Sequence, residues 1–488
     1  MIIHKDLRSF IKNLAKINEL KYISEEIDPF LEITEFSRRI LQKSGPALFF
    51  QNPKGYKIPI LTNLFGSLKR IALAMGFDNY KELRKIGELL AELKQITPPK
   101  NFRDGLSKIP LIKKIFDMKP KIIKYPVCQE VIINKKEVDL LEFPIQTCWP
   151  KDISPLITWG LVTTKNLNTN QQNIGIYRQQ IVNRNQLVIR WLKHRNGAIN
   201  YQIWKKKYRG KKFPIAISLG TDPIMALAAV SPIPNNLSEY AFAGLLRNKK
   251  MQIAHCLGNE LDIPAHAEII LEGYLDGTLH PEGPFGDHTG YYNTVEKFPL
   301  CTIERITHRV NPIYHSTYTG RPPDEPSILG VALNEIFIPI LQKQFPEIID
   351  FYLPPEGCSY RLAIVSIKKL YPGHAKRISM GIWSYLTQLM YTKFIFITSD
   401  DINIRNWKDV IWSLTTRVDP MRDVTIIDNT PIDYLDFSSH SSDLGSKMAI
   451  DATNKLPGET KRSWGKSIHM DTKIKEKINN LLISLSIL

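Results

Sequence analysis

The chain has 488 residues, 43% hydrophobic and 10% aromatic, which is ample for buried cores and, by length, for about three domains. No apolar run reaches the roughly 18 residues of a membrane span, and the N-terminus lacks the apolar segment of a secretory signal, so we expect a cytoplasmic protein. The formal net charge of +17 comes from Lys and Arg spread along the chain, which a bias toward Lys, Ile and Asn explains better than a nucleic-acid partner.

The first hundred residues predict alternating helices and strands. Residues 46–50 and 58–61 have the pattern of strands, residues 80–93 that of a helix, and residues 94–126, rich in Lys and Pro, that of a linker. Four apolar residues recur at helical spacing near the start, namely Leu7, Phe10, Ile11 and Leu14.

From residue 128 to residue 319 strand patterns dominate. One helix interrupts them near Ser238, with the acid Glu239 in its first turn. The expected architecture is an antiparallel barrel. The predicted strands are residues 156–164, 174–182, 187–194, 213–219 and 301–307.

After residue 326 strands and helices alternate, which predicts a parallel, layered α/β unit. The tail, residues 474–488, has the pattern of an amphipathic helix that docks on another subunit or touches a membrane. The predicted elements are strand 362–367, helix 374–392, strand 394–398, helix 407–416 and strand 424–427.

The most informative segment is residues 281–290, which places Glu282, Asp287 and His288 on a loop rich in Pro and Gly. Proline stiffens such a loop and glycine lets its backbone approach a ligand, so its acids are held as general acid catalysis requires. An ordinary surface turn with solvated acids has the same composition.

Local signatures of the commonest enzyme classes are absent: there is no HExxH, GxSxG, Walker loop or GxGxxG after a strand, and the five cysteines have no CxxC spacing. A strand over residues 190–194 would place Arg190, Leu192 and His194 on one face, where they could hold a phosphate and a cation together. The alternative interpretation is an exposed edge strand, with Arg178 in solvent and His194 packed in the core.

Several long segments together resemble the UbiD family of decarboxylases, over nearly the whole chain. Within that family the resemblance is strongest to the branch that acts on polyprenylated 4-hydroxybenzoate in ubiquinone biosynthesis. The segments are residues 45–50, 147–150, 156–160, 173–180, 238–244, 281–292, 314–326 and 451–455.

The resemblance implies an α/β (α+β multi-domain) protein. Its expected domains are an N-terminal α/β domain (1–123), a central split β-barrel that binds prenylated FMN (124–320), and a C-terminal α/β oligomerisation domain with a tail helix (321–488).

The implied activity is non-oxidative decarboxylation of 3-polyprenyl-4-hydroxybenzoate to 2-polyprenylphenol, with prenylated FMN and Mn²⁺ as cofactors. The implied catalytic residues are Asp287, as proton donor, with Glu282 and Arg178. The implied metal ligands are Asn173, His194 and Glu239. The implied flavin contacts are Ile176, Tyr177, Arg178, Arg190, Trp191, Leu192, Arg195 and Asn196.

Two features of this set need explanation. The related branch has Gly where this chain has Asn196, which is tolerated if the backbone there has positive φ. Asn173 and Arg178 are an odd number of residues apart, so strict strand alternation would put them on opposite faces unless Gly175 forms a bulge or the flavin passes the strand end.

The implied partners are a polyprenylated aromatic acid, a flavin prenyltransferase that supplies the cofactor, and further copies of the chain in a hexamer or dimer. A peripheral contact with the cytoplasmic face of the cell membrane would suit the isoprenoid tail. The alternatives are a relative acting on an untailed phenolic or cinnamic acid and, more distantly, a basic nucleic-acid-binding protein.

Overall fold

Four β-sheets organise the part of the chain that the structure describes. The computed structural model describes residues 3–93, 118–193, 195–231, 233, 237–386, 388–442 and 444–485. Within these ranges no helix is long and apolar enough to cross a membrane.

The N-terminal unit packs helices on a four-stranded sheet. Its first helix confirms the sequence prediction, because its four apolar residues are buried and Asp6 caps it by accepting a hydrogen bond from the Ser9 N–H. The elements are α1 (Leu7–Lys16), β1 (Leu20–Ile27), α2 (Glu32–Gln42), β2 (Ala47–Pro53), β3 (Ile60–Thr62), α3 (Leu68–Ala74) and α4 (Arg84–Leu93), the last preceded by a 3₁₀ turn, Tyr80–Leu83.

The central unit is built on a nine-stranded antiparallel sheet that curls into a half-barrel. The order is β6-β9-β10-β15-β14-β11-β7-β8, with β5 paired to β15. Because β6 and β8 lie at opposite ends of this order, the barrel is split, as expected. Its nine strands are β5 (Val131–Asn134), β6 (Leu156–Ile157), β7 (Leu161–Lys165), β8 (Gln172–Ile176), β9 (Gln179–Asn183), β10 (Gln186–Ile189), β11 (Phe213–Leu219), β14 (Ile269–Glu282) and β15 (Glu296–His308). A separate small sheet contains β4 (Lys121–Ile122), β12 (Gln252–His255) and β13 (Asp262–Pro264), and β16 (Tyr314–His315) pairs with β3 as the fourth strand of the N-terminal sheet.

The long hairpin of β14 and β15 positions the acidic loop. Its register is interrupted near Gly277, whose φ is +104°, and then continues to the pair Glu282 and Glu296. The loop between these two residues is therefore anchored at both ends to the half-barrel.

The sequence predicted one helix in the central unit, and the described residues contain three. The predicted helix is present as α7 (Glu239–Arg247), with Ser238 as its N-cap. The missed helices are α5 (Asn196–Lys207) and α6 (Pro223–Ala228). All six residues of α6 are buried, so it shows no apolar and polar faces from which a helical period could be recognised.

Two further predictions were wrong. The strand predicted for residues 187–194 ends at Ile189, and the Arg195 N–H donates to the Leu192 carbonyl in a turn before α5; His194 lies outside the described residues. Most of the predicted linker, residues 94–117, also lies outside the described residues. Its later part contains β4, which pairs with β12 in a small sheet that also includes β13.

The C-terminal unit is a five-stranded sheet in the order β17-β18-β19-β21-β20. The inner pairs are parallel, as predicted, and the two edge strands are antiparallel. The predicted helix over residues 374–392 ends at Tyr385. The elements are β17 (Ile348–Tyr352), β18 (Leu362–Ile367), α9 (His374–Tyr385), β19 (Phe394–Ser399), α10 (Trp407–Arg417), α11 (Pro420–Asp423), β20 (Val424–Pro431), β21 (Leu444–Ala452) and the tail helix α12 (Thr472–Ser484).

A long helix that the sequence analysis missed joins the units. It is α8 (Glu325–Gln344), which lies between β16 and β17 in the chain. Ile336 and Ile340 belong to the core shared with the N-terminal unit, whereas Ile338 and Leu341 belong to the C-terminal core. Because it is apolar on more than one face, its sequence lacks a clear amphipathic stripe.

The buried Arg70 offers a test of the N-terminal unit. Its side chain is 1% exposed and donates to Glu19 and to the carbonyls of Gly45, Asn63 and Leu64. We expect R70A to lower the free energy of unfolding by about 3 kcal/mol, because it leaves buried acceptors without donors.

Urea denaturation followed by tryptophan fluorescence measures this change. The matched control is R39A, because Arg39 is exposed and pairs with Glu35 on the surface, an interaction worth less than about 1 kcal/mol. Equal effects of the two substitutions would contradict the structural role of Arg70.

Candidate active site

The centre of the site is the carboxylate of Glu282, which is fully buried and held by two arginines. Arg178 donates from Nε to Oε1 at 2.6 Å and from Nη2 to Oε2 at 3.0 Å. Arg190 donates from Nη1 to Oε2 at 2.7 Å. Two guanidinium groups on one carboxylate leave a net positive charge in this buried region.

Three strand ends bring these residues together. Glu282 is the last residue of β14, Arg178 lies in the two-residue link between β8 and β9, and Arg190 follows the end of β10. The pairing of β7 with β8 runs through Gly175 without a register shift. There is therefore no bulge at Gly175, and strand alternation does not apply to Arg178 because β8 ends at Ile176.

Aromatic rings cover both arginines. The Arg178 guanidinium carbon lies 5.4 Å from the centroid of the Phe285 ring, and that of Arg190 lies 5.0 Å from the Phe298 ring and 5.8 Å from the Tyr434 ring. Burial lowers the pKa of Arg178, and Glu282 opposes this effect by favouring the charged form. The rings exclude water while tolerating a cation on their faces.

The acidic loop is held by hydrogen bonds from its backbone. The Gly283 N–H donates to Gln180 Oε1 at 2.8 Å, and the Gly286 N–H donates to Asp152 Oδ1 at 2.9 Å. A Cβ at Gly286 would collide with the ring of Trp149, so glycine is required there for close packing. The sequence analysis did not assign Trp149 or Asp152 a role, although Trp149 lies in one of the segments on which the resemblance rests.

Asp287 lies in this loop and is 5% exposed. Its Oδ1 accepts hydrogen bonds from the N–H and the hydroxyl of Thr289. The carboxylate of Asp287 acts on Arg178 through space and favours a higher pKa of that guanidinium group, so the two lie within electrostatic range of each other. Within the described ranges Oδ2 has no hydrogen-bond partner, so this oxygen is available to a substrate.

Two of the three expected metal ligands lie in contact. Asn173 Nδ2 donates to Glu239 Oε1 at 2.9 Å, and the Ile174 N–H donates to Glu239 Oε2 at 2.9 Å. Burial raises the pKa of Glu239 to about 7. Asn173 Oδ1 is buried and unpaired with any described residue. An unpaired amide oxygen beside a buried carboxylate fits a divalent cation.

The third expected ligand, His194, lies outside the described residues. Elsewhere, in the ranges that the structure covers, no group of three or more His, Cys, Asp or Glu side chains could hold a metal ion.

The expected flavin contacts surround the junction between β10 and α5. The Tyr177 ring meets the edge of Trp191 at a centroid distance of 5.9 Å, and its hydroxyl accepts a hydrogen bond from the Gly197 N–H. The indole Nε1 of Trp191 is buried and finds no acceptor among the described residues. Ile176 and Leu192 are half-buried beside them. A polar, planar ligand fits such a surface.

Arg195 and Asn196 lie at the N-terminus of α5. Arg195 is the N-cap residue and Asn196 is the first helical residue, and both are exposed. Asn196 is not among the residues with positive φ, so the backbone does not require the Gly of the related branch. The N–H groups at the start of this 12-residue helix suit a phosphate.

Models of three domains of one family match the chain in order. The 3-octaprenyl-4-hydroxybenzoate carboxy-lyase N-terminal domain matches residues 11–90, the Rift-related domain residues 121–322 and the C-terminal domain residues 327–452. The chain belongs to the UbiD family. It is thereby a member of a family of carboxy-lyases.

Several solved structures share the fold over nearly the whole chain. The vanillic acid decarboxylase of Sedimentibacter hydroxybenzoicus in closed form has a TM-score of 0.83 and 29% identity, covering 99% of this chain and 100% of that one. The UbiD-class enzyme HmfF of Pelotomaculum thermopropionicum in complex with FMN has a TM-score of 0.80 and 26% identity, covering 97% and 99%. Apo 3,4-dihydroxybenzoic acid decarboxylase of Klebsiella pneumoniae, at 22% identity and a TM-score of 0.78, covers 97% and 99% and shares the fold.

A second cluster of buried polar groups lies between the N-terminal unit and the start of α8. His315 stacks on Trp159 at a centroid distance of 5.3 Å, and burial lowers its pKa to about 3, so its imidazole is neutral. Glu325 Oε1 accepts a hydrogen bond from the Phe65 N–H at 2.5 Å. Burial raises the pKa of Glu325 from 4.5 to about 7. The cluster joins the N-terminal unit to the start of α8.

Glu325 predicts a pH dependence of stability. The folded protein keeps a proton on Glu325 that the unfolded chain releases above pH 4.5, so the free energy of unfolding falls as the pH rises from 4.5 to 7. The change amounts to about 3 kcal/mol for this group. The glutamine of E325Q cannot ionise. We therefore expect the free energy of unfolding of E325Q to fall less over this pH range and to exceed that of wild type at pH 8.

Urea denaturation at pH 5, 6, 7 and 8 measures the difference between the two proteins. The exposed Glu142 supplies the control, since E142Q should follow the wild-type curve. Parallel curves for wild type and E325Q would contradict the raised pKa.

Proposed function

We propose that the chain decarboxylates 3-polyprenyl-4-hydroxybenzoate to 2-polyprenylphenol in ubiquinone biosynthesis, using prenylated FMN. The observation that supports this most directly is the buried array of Arg178, Glu282 and Arg190 next to Asp287. The two guanidinium groups would bind an aromatic carboxylate, and Asp287 on the neighbouring loop would supply the proton to the carbon that loses CO2.

Each member of the array has a proposed role. Glu282 engages Nε and Nη2 of Arg178, so Nη1 is left to bind the substrate carboxylate and orient its ring. Arg190 also donates to Oε2 of Glu282 and so helps to hold this carboxylate in its orientation. Asp287 donates the proton that replaces CO2 on the ring carbon, from the oxygen that makes no hydrogen bond to a described residue.

The residues around Trp191 fit a flavin. Ile176, Tyr177, Trp191 and Leu192 would bind its ring system together with Arg178 and Arg190. The start of α5, at Arg195 and Asn196, would bind its phosphate. When bound, prenylated FMN supplies the electron sink that side chains cannot offer for an aryl carbanion. A flavin prenyltransferase is the proposed supplier of the cofactor.

Asn173 and Glu239 are the proposed ligands of a divalent cation, with His194 as the third. The chemistry of the donors suits manganese, since amide, carboxylate and imidazole groups are ligands of intermediate to hard cations. The cation would neutralise the flavin phosphate and the buried Glu239 carboxylate.

The proposed assembly is a homo-oligomer of three-domain chains, divided at residues 123 and 320. The tail helix α12 supports this, because none of its residues is buried within the chain and Ile474, Ile478 and Leu481 recur at helical spacing on it. A stripe of this kind is covered in most proteins by another surface. We propose that the oligomer contacts a lipid surface peripherally when it takes a polyprenylated substrate.

The fold similarity to vanillic acid decarboxylase favours a second candidate, an untailed phenolic acid as substrate. A substrate panel separates the two. With enzyme co-expressed with a flavin prenyltransferase, we expect 3-polyprenyl-4-hydroxybenzoate in lipid vesicles to be decarboxylated at least 100-fold faster than 4-hydroxybenzoate, vanillate or a cinnamic acid. A higher kcat/KM for an untailed acid would show that this acid, and not the polyprenylated one, is the substrate. Sedimentation with the same vesicles at low and high salt tests the contact with a lipid surface.

Loss of the proton donor should stop turnover. We expect D287N to lower kcat by 100-fold or more, as is typical of a missing general acid, and R178A to lower kcat/KM by a similar factor. Asp276 is an exposed aspartate on β14. D276N is therefore the matched control and should retain the wild-type rates. Retained activity in D287N, with unchanged circular dichroism, would remove Asp287 from the mechanism.

The metal site can be tested without turnover. Titration of the chelator-treated protein with Mn²⁺ should raise its melting temperature, and we expect N173A and E239Q each to abolish this shift because a ligand oxygen is lost. E142Q serves again as the surface control. An unchanged Mn²⁺ shift in both site variants would place the cation elsewhere.

A further inference from the structure

A segment of the C-terminal unit lies directly over the proposed site. Residues 432–437, between β20 and β21, contact three places in the central unit. The Tyr434 ring faces Arg190, Asp433 Oδ2 lies 4.0 Å from His288 Nε2, and the Phe437 ring lies 4.7 Å from the Tyr291 ring. We call residues 432–437 the clasp segment.

The clasp segment is itself held in one conformation. Arg361 donates from Nε and Nη2 to Asp433 Oδ2 at 3.1 Å, and Asp433 Oδ1 accepts from the Leu435 N–H at 3.0 Å. Lys393 donates to Asp436 Oδ2 at 2.9 Å. Asp433 therefore lies between Arg361, the residue before β18, and His288, the residue that follows Asp287.

Tyr434 is the second aromatic residue in contact with Arg190. The guanidinium group lies over the Phe298 ring of β15 and over the Tyr434 ring, which comes from a distant part of the chain. Arg190 in turn binds Glu282. Removal of the Tyr434 ring would admit water to this ion pair and weaken both the cation–π contact and the charge-assisted hydrogen bond.

We propose that Asp433 and Tyr434 are positioning residues, through which the clasp segment aligns Arg190, Glu282 and the acidic loop for proton transfer from Asp287. The effect on turnover rests on the proposed function. The effect on the order of the acidic loop does not, because it follows from contacts within the chain.

Hydrogen exchange of the cofactor-free protein tests the coupling. The N–H groups of Gly283, Phe285, Gly286, Asp287 and Gly290 are hydrogen-bonded within and around the loop. We expect Y434A and D433N to speed exchange over residues 283–292 by about tenfold, because loss of the clasp contacts increases local opening. Y434F keeps the ring and should exchange at the wild-type rate.

Matched controls come from exposed residues of the same type. Tyr125 is 84% exposed and Asp400 is also exposed, so Y125A and D400N should leave exchange in the loop unchanged. H288N should in turn speed exchange over residues 432–437, since coupling between two segments is reciprocal. Unchanged exchange of residues 283–292 in both Y434A and D433N would overturn the proposal, and D433N decides the question if Y434A fails to fold.

Activity then separates this proposal from the proposed function. In cofactor-loaded enzyme we expect Y434A to lower kcat about tenfold with little change in KM, and Y434F to restore it. If Y434A and D433N exchange faster but the wild-type enzyme decarboxylates none of the tested acids, the positioning contacts are supported and the proposed function is contradicted. Wild-type kcat in both Y434A and D433N, despite faster exchange, would remove the positioning role.

Discussion

The shared carboxylate of Glu282 is the interaction on which the site depends. A buried carboxylate is costly to desolvate, and its two arginines compensate only while their geometry is maintained. Arg178 and Arg190 are separated from it by 104 and 92 residues along the chain. The half-barrel is therefore required to bring three strand ends together, and a distortion of the sheet would leave an unpaired charge in the interior.

Close packing within the central unit and contacts from its two neighbours add to these ion pairs. Trp149 lies so close to Gly286 and Gly320 that a Cβ at either would collide with it, and it donates to the Thr319 carbonyl. Glu325 bonds to the N-terminal unit at the start of α8. The clasp segment then contacts Arg190 and the acidic loop from the C-terminal side. The C-terminal unit thus reaches the site directly, while α8 contributes to the hydrophobic cores of both neighbouring units.

Sequence periodicity predicted the elements that are amphipathic or that alternate. Helix α1 and strands β11 and β18 were found where they were predicted. The errors were at elements without a clear pattern, such as the fully buried α6 and the two-faced α8. The strand predicted through Arg190 was too long, because the side chain there turns to Glu282 and a turn before α5 ends the pairing.

The amino-acid sequence by itself determined the family, the mixed α/β architecture and the identity of the acids on the loop, because these depend on motifs and local patterns. The tertiary structure decided which arginine pairs with which acid, since Arg190 was expected only as a flavin contact and is bound to Glu282. It also brought Asp433 and Tyr434 to the site. Contacts between residues far apart in the chain depend on how sheets and loops pack, and no local pattern in the sequence encodes them.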